Sequence, residues 1–186
     1  MRRKRHNIIA ALLFLSGCAA PATVSTADLL EKAERLCLEA NFAEAEPILR
    51  ECLRLDPTDA VAHYYLGRCY LSGDLINLDL ARGEITAALS LYYTFGQSSP
   101  QGRFTDEYFQ LMCLTDIGKT YLSEIALEIP LMKLSPSERA REARERIARC
   151  NDLYERAKRI NPDDHLTEWL GLRIAEATNS LGLEQQ

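Results

Sequence analysis

Apolar residues recur at helical spacing from Thr26 onward, and no useful length of the chain alternates as a β-strand does. The first two predicted helices each carry one apolar face, made of Leu29, Ala33, Leu36 and Ala40 in one helix and of Ala45, Leu49, Cys52 and Leu53 in the next. Pro57 and Pro162 cannot continue a helix, so each marks a helix end just before it. The pattern predicts an all-α fold.

The first eighteen residues follow a different pattern. Four basic residues at positions 2–5 precede an apolar run at 8–15, which is too short to cross a bilayer and is typical of an export signal. The run ends in Leu15-Ser16-Gly17-Cys18, which resembles a bacterial lipobox. That resemblance implies a lipoprotein signal peptide at 1–17, lipidation of Cys18 and a short lipidated tether at 18–26, followed by a helical domain at 27–186.

Loss of the signal changes the charge of the protein. The whole chain has 22 Lys and Arg against 27 Asp and Glu, and removing residues 1–17 leaves 18 against 27, a net charge of −9. An acidic body disfavours nucleic acid as a partner and leaves the lipid as the membrane link. Ala19 follows the cysteine, and by resemblance this implies the periplasmic side of the outer membrane, or the outer face of the plasma membrane in a host with one membrane.

The body contains an internal repeat. It starts at Thr26 and again at Ala60, 34 residues later, with the signature Leu66-Gly67-Arg68-Cys69-Tyr70 in the second unit. This register resembles the tetratricopeptide repeat, a helix-turn-helix unit of that length. The resemblance implies an α-α superhelix and a close approach of two helices at Gly67.

The later units depart from the standard length. Related signatures begin at Ile117 and Leu170, more than 50 residues apart. We therefore expect about two standard repeats, then one elongated repeat with helices at about 105–129 and 135–160. A final helix at roughly 164–181 would cap the array.

Repeats of this family bind peptides or helices in a groove formed by the first helix of each unit. The residues that the resemblance places in this groove are Leu30, Glu34, Leu38, Tyr64, Arg68, Leu71, Thr115, Lys119 and Leu122. Arg68 and Lys119 would hold a carboxylate or a peptide backbone, with Tyr64 supplying apolar area. The alternative is that these side chains pack against the elongated helices. Trp169, the lone tryptophan, is interpreted as a packing residue.

Motifs for enzymatic chemistry are missing from the sequence. It has no His-Glu-x-x-His, Cys-x-x-Cys or Gly-x-Ser-x-Gly pattern, and His63 falls at a position typical of a packed, hydrogen-bonded core residue. We expect no metal, no cofactor and no enzymatic activity. The sequence favours a lipid-anchored adaptor in cell-envelope assembly, similar in layout to lipoproteins that pilot secretion or pilus channels or hold cell-wall hydrolases. A helical envelope enzyme and a purely structural subunit remain alternatives.

Five cysteines follow Cys18, in a compartment that normally oxidises thiols. In an antiparallel helix pair Cys37 lies level with about Glu46, six residues before Cys52, and Cys52 is offset from Cys69 by a similar amount. Six residues of helix rise about 9 Å, more than a disulfide spans. The sequence therefore predicts five free, buried cysteines.

Overall fold

Seven α-helices form the part of the chain that this computed structural model describes, residues 25–72, 75–95 and 104–182, and no strand occurs among them. The helices are α1 Thr26–Leu38, α2 Phe42–Leu55, α3 Ala60–Leu71, α4 Leu78–Phe95, α5 Asp106–Ser123, α6 Pro136–Ile160 and α7 His165–Ser180. The all-α prediction is confirmed. Cys18, the signal peptide and most of the tether lie outside the described residues.

Local sequence explains where most helices begin and end. Ser25 and Asp28 form a reciprocal capping box at the start of α1, and Ser135 and Glu138 form another at the start of α6. At the other end, α2 stops at Leu55 and α6 stops at Ile160, two residues before Pro57 and Pro162 respectively. The two helix ends predicted from proline are therefore confirmed.

The long third helix pair differs from its prediction in one respect. Helix α5 ends as an α-helix at Ser123, continues as a π-helical turn at Glu124–Glu128, and finishes as a 3₁₀ turn at Ile129–Leu131. Helix α6 has 25 residues. The predicted length is right, but the end of the first helix is wider than an α-helix because Glu124–Glu128 adopts i→i+5 hydrogen bonding.

Each helix packs against the next one in the chain, and the odd-numbered helices also pack side by side, α1 on α3, α3 on α5 and α5 on α7. Close approach requires small residues. A Cβ atom added to Gly67 would lie 2.5 Å from Ile85 Cγ1 and 3.0 Å from the Ala81 carbonyl oxygen. The predicted close contact at Gly67 is confirmed, and it joins α3 to α4.

The turn between α1 and α2 corrects one detail of the predicted helix face. Ala40 lies beyond α1, exposed, with φ of 59°, in the left-handed region. Asn41 N donates to Leu36 O at 2.8 Å and Ala40 N donates to Cys37 O at 3.2 Å, which together form a Schellman motif. Helix α1 ends at Leu38, two residues before Ala40, because the left-handed backbone of Ala40 does not continue a right-handed helix.

Ala40→Gly is expected to stabilise the protein by about 0.5–1 kcal/mol. Glycine removes the Cβ strain of the left-handed conformation, and its greater freedom in the unfolded chain offsets only part of that gain. Urea unfolding measures the change. Ala148→Gly, in the exposed interior of α6, is the matched control and should destabilise by about 1 kcal/mol. Destabilisation by both variants would contradict the turn geometry.

The cysteines Cys37, Cys52, Cys69, Cys113 and Cys150 are all buried, as predicted, and are free thiols in this structure. Each lies in a helix and contributes to the apolar core. Cys37 Sγ and Cys69 Sγ lie 3.7 Å apart. Helix offsets across a turn relate only consecutive cysteines, and Cys37 and Cys69 are not consecutive.

Candidate functional site

A groove of about 520 Å³ lies between α3, α5 and α7. We call it the odd-helix groove because these odd-numbered helices form its walls. Its charged and aromatic lining residues are Arg68, Asp116, Lys119, Trp169 and Arg173. Three basic side chains against one carboxylate make the groove locally positive, although the chain as a whole carries a net charge of −5.

Asp116 organises the floor of the odd-helix groove. Its Oδ1 atom accepts from Lys119 Nζ at 2.5 Å, and its Oδ2 atom accepts from the Tyr64 hydroxyl at 2.8 Å. Burial, reinforced by the Asp116 carboxylate, raises the pKa of Tyr64 well above its ordinary value, so the phenol keeps its proton and donates. Lys119 is therefore already paired with a carboxylate before any ligand arrives.

Trp169 forms a platform for two cations on the opposite wall. Lys119 Nζ lies 5.1 Å from its ring centroid and Arg173 Cζ lies 5.6 Å away, both within cation–π range. Arg173 also donates to Glu176 at 2.6 Å, on an exposed part of α7. The platform fixes the direction of two positive groups that face the groove.

Apolar surface accompanies these charges. Leu71 from α3, Leu122 from α5 and Leu127 from the π-helical turn line the same groove, and Leu127 is 53% exposed. An exposed leucine beside a tryptophan and several cations suits a ligand with both apolar and acidic groups. The end of α5 thus contributes to the groove through its irregular extension.

Four residues predicted for the groove do line it together: Arg68, Leu71, Lys119 and Leu122. Leu30, Tyr64 and Thr115 do not, because each is buried in the core. Tyr64 and Thr115 lie on α3 and α5, which have neighbours on both sides, so only a narrow row of each of these two helices remains open. Tyr64 lies one turn before Arg68 but is directed into α5, where it meets Asp116. The predicted role of Tyr64 as exposed apolar area is wrong.

The two remaining predicted residues lie on α1, away from the groove lining. Glu34 accepts a hydrogen bond from the Tyr65 hydroxyl at 2.9 Å, and Leu38 is exposed at the last position of α1. Trp169 and Arg173 were missed as lining residues. The signal that pointed to them is the Leu170-Gly171 signature, which puts α7 in the same register as α3 and α5.

A second cleft, of about 680 Å³, lies on the other side of α5, between α4 and α6. Tyr93, Tyr121, Arg149 and Arg156 are among its lining residues. Arg149 Cζ lies 5.6 Å from the centre of the Tyr121 ring. This cleft is larger than the odd-helix groove, but it is lined by none of the predicted binding residues.

The buried carboxylates of the described chain are engaged by structural partners. Asp59 caps α3 by accepting from the backbone of Val61 and Ala62, and Asp116 is held as described above. Glu124 accepts from Arg82 and from Arg146 Nε, the latter at 2.9 Å. In the described residues no group of three histidine, cysteine or acidic side chains is placed to hold a metal ion.

His63 is a packed, hydrogen-bonded histidine, as predicted. Its Nδ1 lies 2.6 Å from Glu84 Oε2, and its Nε2 lies 3.2 Å from the Pro57 carbonyl oxygen. Burial disfavours the charged ring, but these two acceptors outweigh it and raise the pKa of His63 above its ordinary value. A protonated ring donates to both partners and joins α3 to α4.

The odd-helix groove is the arrangement best suited to a ligand.

Within residues 25–72, 75–95 and 104–182 no helix has the length and apolar character needed to cross a membrane. No family model matches the chain, and no curated protein or solved structure matches it either.

Proposed function

We propose that this protein is a lipid-anchored scaffold of tetratricopeptide type that holds a protein partner at the cell envelope, on the periplasmic side of the outer membrane. The observation that carries this proposal is the odd-helix groove, where Arg68, Lys119 and Arg173 converge beside Trp169. The packing of odd-numbered helices on one another supports a superhelix with this groove on its inner side. The lipobox-like sequence at Cys18 supports the anchor.

The chemistry of the groove favours an acidic peptide segment with at least one large apolar side chain. Carboxylates on the ligand would pair with Arg68 and Arg173, while its apolar group would contact Trp169 and Leu127. An overall acidic protein repels acidic ligands elsewhere on its surface, so the positive groove concentrates binding at one place. Specificity follows from this contrast between local and net charge.

Arg68→Gln with Arg173→Gln is expected to lower partner recovery at least about tenfold, because each lost charge-assisted hydrogen bond is worth about 1.5–3 kcal/mol. Lys119 is left unchanged because it neutralises the buried Asp116. The full chain is purified from detergent-solubilised membranes, and the amount of each co-purifying protein is measured by quantitative mass spectrometry.

The second cleft provides the matched control. Arg149→Gln with Arg156→Gln removes the same charge from a cleft outside the groove and should leave recovery unchanged. Loss of the partner in this control, with full recovery in the groove variant, would transfer the site to the second cleft and overturn the proposed groove. Circular dichroism of both variants establishes that helicity is retained.

A further inference from the structure

Two buried thiols meet where α1 packs against α3. Cys37 Sγ and Cys69 Sγ lie 3.7 Å apart, and the side chains are 3% and 0% exposed. Sulfur atoms in a disulfide lie about 2.05 Å apart, so the two atoms must approach by about 1.6 Å to bond. The residues are 32 positions apart in sequence. The contact therefore joins helices of two different predicted repeats.

Cys37 is buried, so an oxidant reaches it only when α1 opens locally. Cys37 lies in the last turn of α1, one residue before the helix ends at Leu38. Helix α1 is the first described helix and packs on α2 and α3. Terminal helices and last turns open at lower free energy than the centre of a fold. Local opening there would expose Cys37 without unfolding the rest of the protein.

The surroundings of the pair also favour a reactive thiolate. The hydrogen bond from the Cys69 thiol lowers the pKa of Cys37 by more than burial raises it, and the nearby Arg68 guanidinium lowers it further. The same hydrogen bond raises the pKa of Cys69. Because α1 packs mainly on α2 and α3 among the described helices, while α3 is enclosed by α1, α2, α4 and α5, Cys37 is assigned as the attacking sulfur and Cys69 as the resolving one.

We propose that Cys37 and Cys69 form a disulfide that ties α1 to α3 when the protein meets an external disulfide as oxidant. The Cys37 thiolate attacks one sulfur of the external disulfide, forms a mixed disulfide and releases one thiolate. Cys69 then loses its proton and attacks the Cys37 sulfur, which forms the new bond and releases the second thiolate. The protein gives up two electrons and two protons, and the external disulfide leaves as two reduced thiols.

The bond adds a covalent staple near the start of the array. It closes the stretch of chain from Cys37 to Cys69, which restricts the unfolded state and is expected to raise the melting temperature by about 5–15 °C. An envelope location outside the cytoplasmic membrane would expose the pair to disulfide oxidants. The structure with free thiols is then the reduced form, and the form with the Cys37–Cys69 disulfide is the one expected in that location.

The test uses the full chain in detergent, treated with oxidised glutathione and then with N-ethylmaleimide to block remaining thiols. Trypsin separates the two cysteines into peptides 36–50 and 69–82, each with a single cysteine. We expect mass spectrometry to find these two peptides linked, and reduction to release them. Wild-type protein with neither peptide linked, or with either linked to another cysteine, would overturn the proposal.

Variants and melting curves complete the test. Cys37→Ala and Cys69→Ala should abolish the linkage, while Cys52→Ala and Cys150→Ala, which remove other buried thiols, should retain it. Oxidation should raise the melting temperature of the wild-type protein and of the two control variants. It should leave the melting temperatures of Cys37→Ala and Cys69→Ala unchanged. A linked pair that lowers the melting temperature would mean that the bond forms in a distorted chain, which also overturns the proposal.

Discussion

Glu124→Gln is expected to lower the free energy of unfolding by about 3–5 kcal/mol, the usual cost of removing one partner from a buried ion pair. The Glu124 side chain is 6% exposed and lies between Arg82 of α4 and Arg146 of α6, which are about one fifth exposed. Glutamine keeps the shape but removes the charge, so both guanidinium groups lose their shared carboxylate. Urea unfolding at neutral pH measures the loss.

The partners that Arg82 and Arg146 keep in Glu124→Gln determine where in that range the loss of unfolding free energy falls. Arg82 still contacts Asp79 and Arg146 still contacts Glu142, and Arg82 also stacks on the Tyr121 ring at 4.7 Å. Asp79 is largely exposed and compensates Arg82 weakly, but Glu142 is only 24% exposed and keeps a close ion pair with Arg146. We therefore expect a loss nearer 3 kcal/mol than 5 kcal/mol.

Glu128→Gln is the matched control at the other end of the π-helical turn. Glu128 is exposed, and its replacement should change stability by less than about 0.5 kcal/mol. Equal stability of the two variants would show that the Glu124 cluster, made of Glu124, Arg82 and Arg146, contributes nothing to the free energy of unfolding. A large loss in Glu124→Gln alone would show that the ion pairs of Glu124 with Arg82 and Arg146 stabilise the fold.

Helix ends and close contacts were predictable from sequence because their causes are local. Proline excludes a helical backbone just before it, and Gly67 is the small residue in a signature with fixed spacing. The Schellman turn at Ala40 was not predictable in the same way. Alanine carries no signal for a left-handed backbone, so the apolar spacing extends the predicted helix face to Ala40.

Only some of the residues predicted for the groove line it. Helical phase predicts which side of a helix a residue lies on, but it does not predict whether that side is buried. Arg68 and Lys119 line the odd-helix groove, while Tyr64 and Thr115 share a similar phase and are buried. Their burial depends on how closely α3 approaches α5, which is a property of the packed helices. Thr115 even lacks a hydrogen-bond partner for its hydroxyl in this structure, a cost that no sequence pattern signals.

Contacts between distant segments were the least predictable. The sulfur contact of Cys37 with Cys69 joins the first helices of two predicted repeats, whereas helix offsets across a turn relate only consecutive cysteines. The Glu124 cluster likewise joins α4, the end of α5 and α6. The charged run that contains Arg146 carries Glu and Arg at neighbouring helical positions, which is also typical of a solvated surface.

Cys18→Ser is expected to abolish metabolic labelling with palmitate and to leave the precursor 17 residues longer than the wild-type mature protein. The resemblance to a lipobox implies that acylation occurs on the cysteine sulfur before the signal is cleaved, and a serine hydroxyl does not replace that sulfur. Radiolabel incorporation and intact mass of the membrane fraction measure the two effects. Retained label in the serine variant would contradict the proposed anchor.

Ser16→Ala is the control, since it keeps a small residue in the lipobox-like segment and leaves Cys18 intact; full labelling is expected.

The proposed anchor also limits how far from the membrane the start of α1 can lie. Helix α1 is capped at Ser25, so seven residue steps separate Cys18 from the cap of the first helix, and an extended chain of that length spans at most about 25 Å. If Cys18 carries the lipid, the start of α1 stays within that distance of the bilayer, and a partner in the odd-helix groove is held close to the membrane surface. Loss of the palmitate label in Cys18→Ser, with partner recovery in detergent unchanged, would separate lipidation from binding.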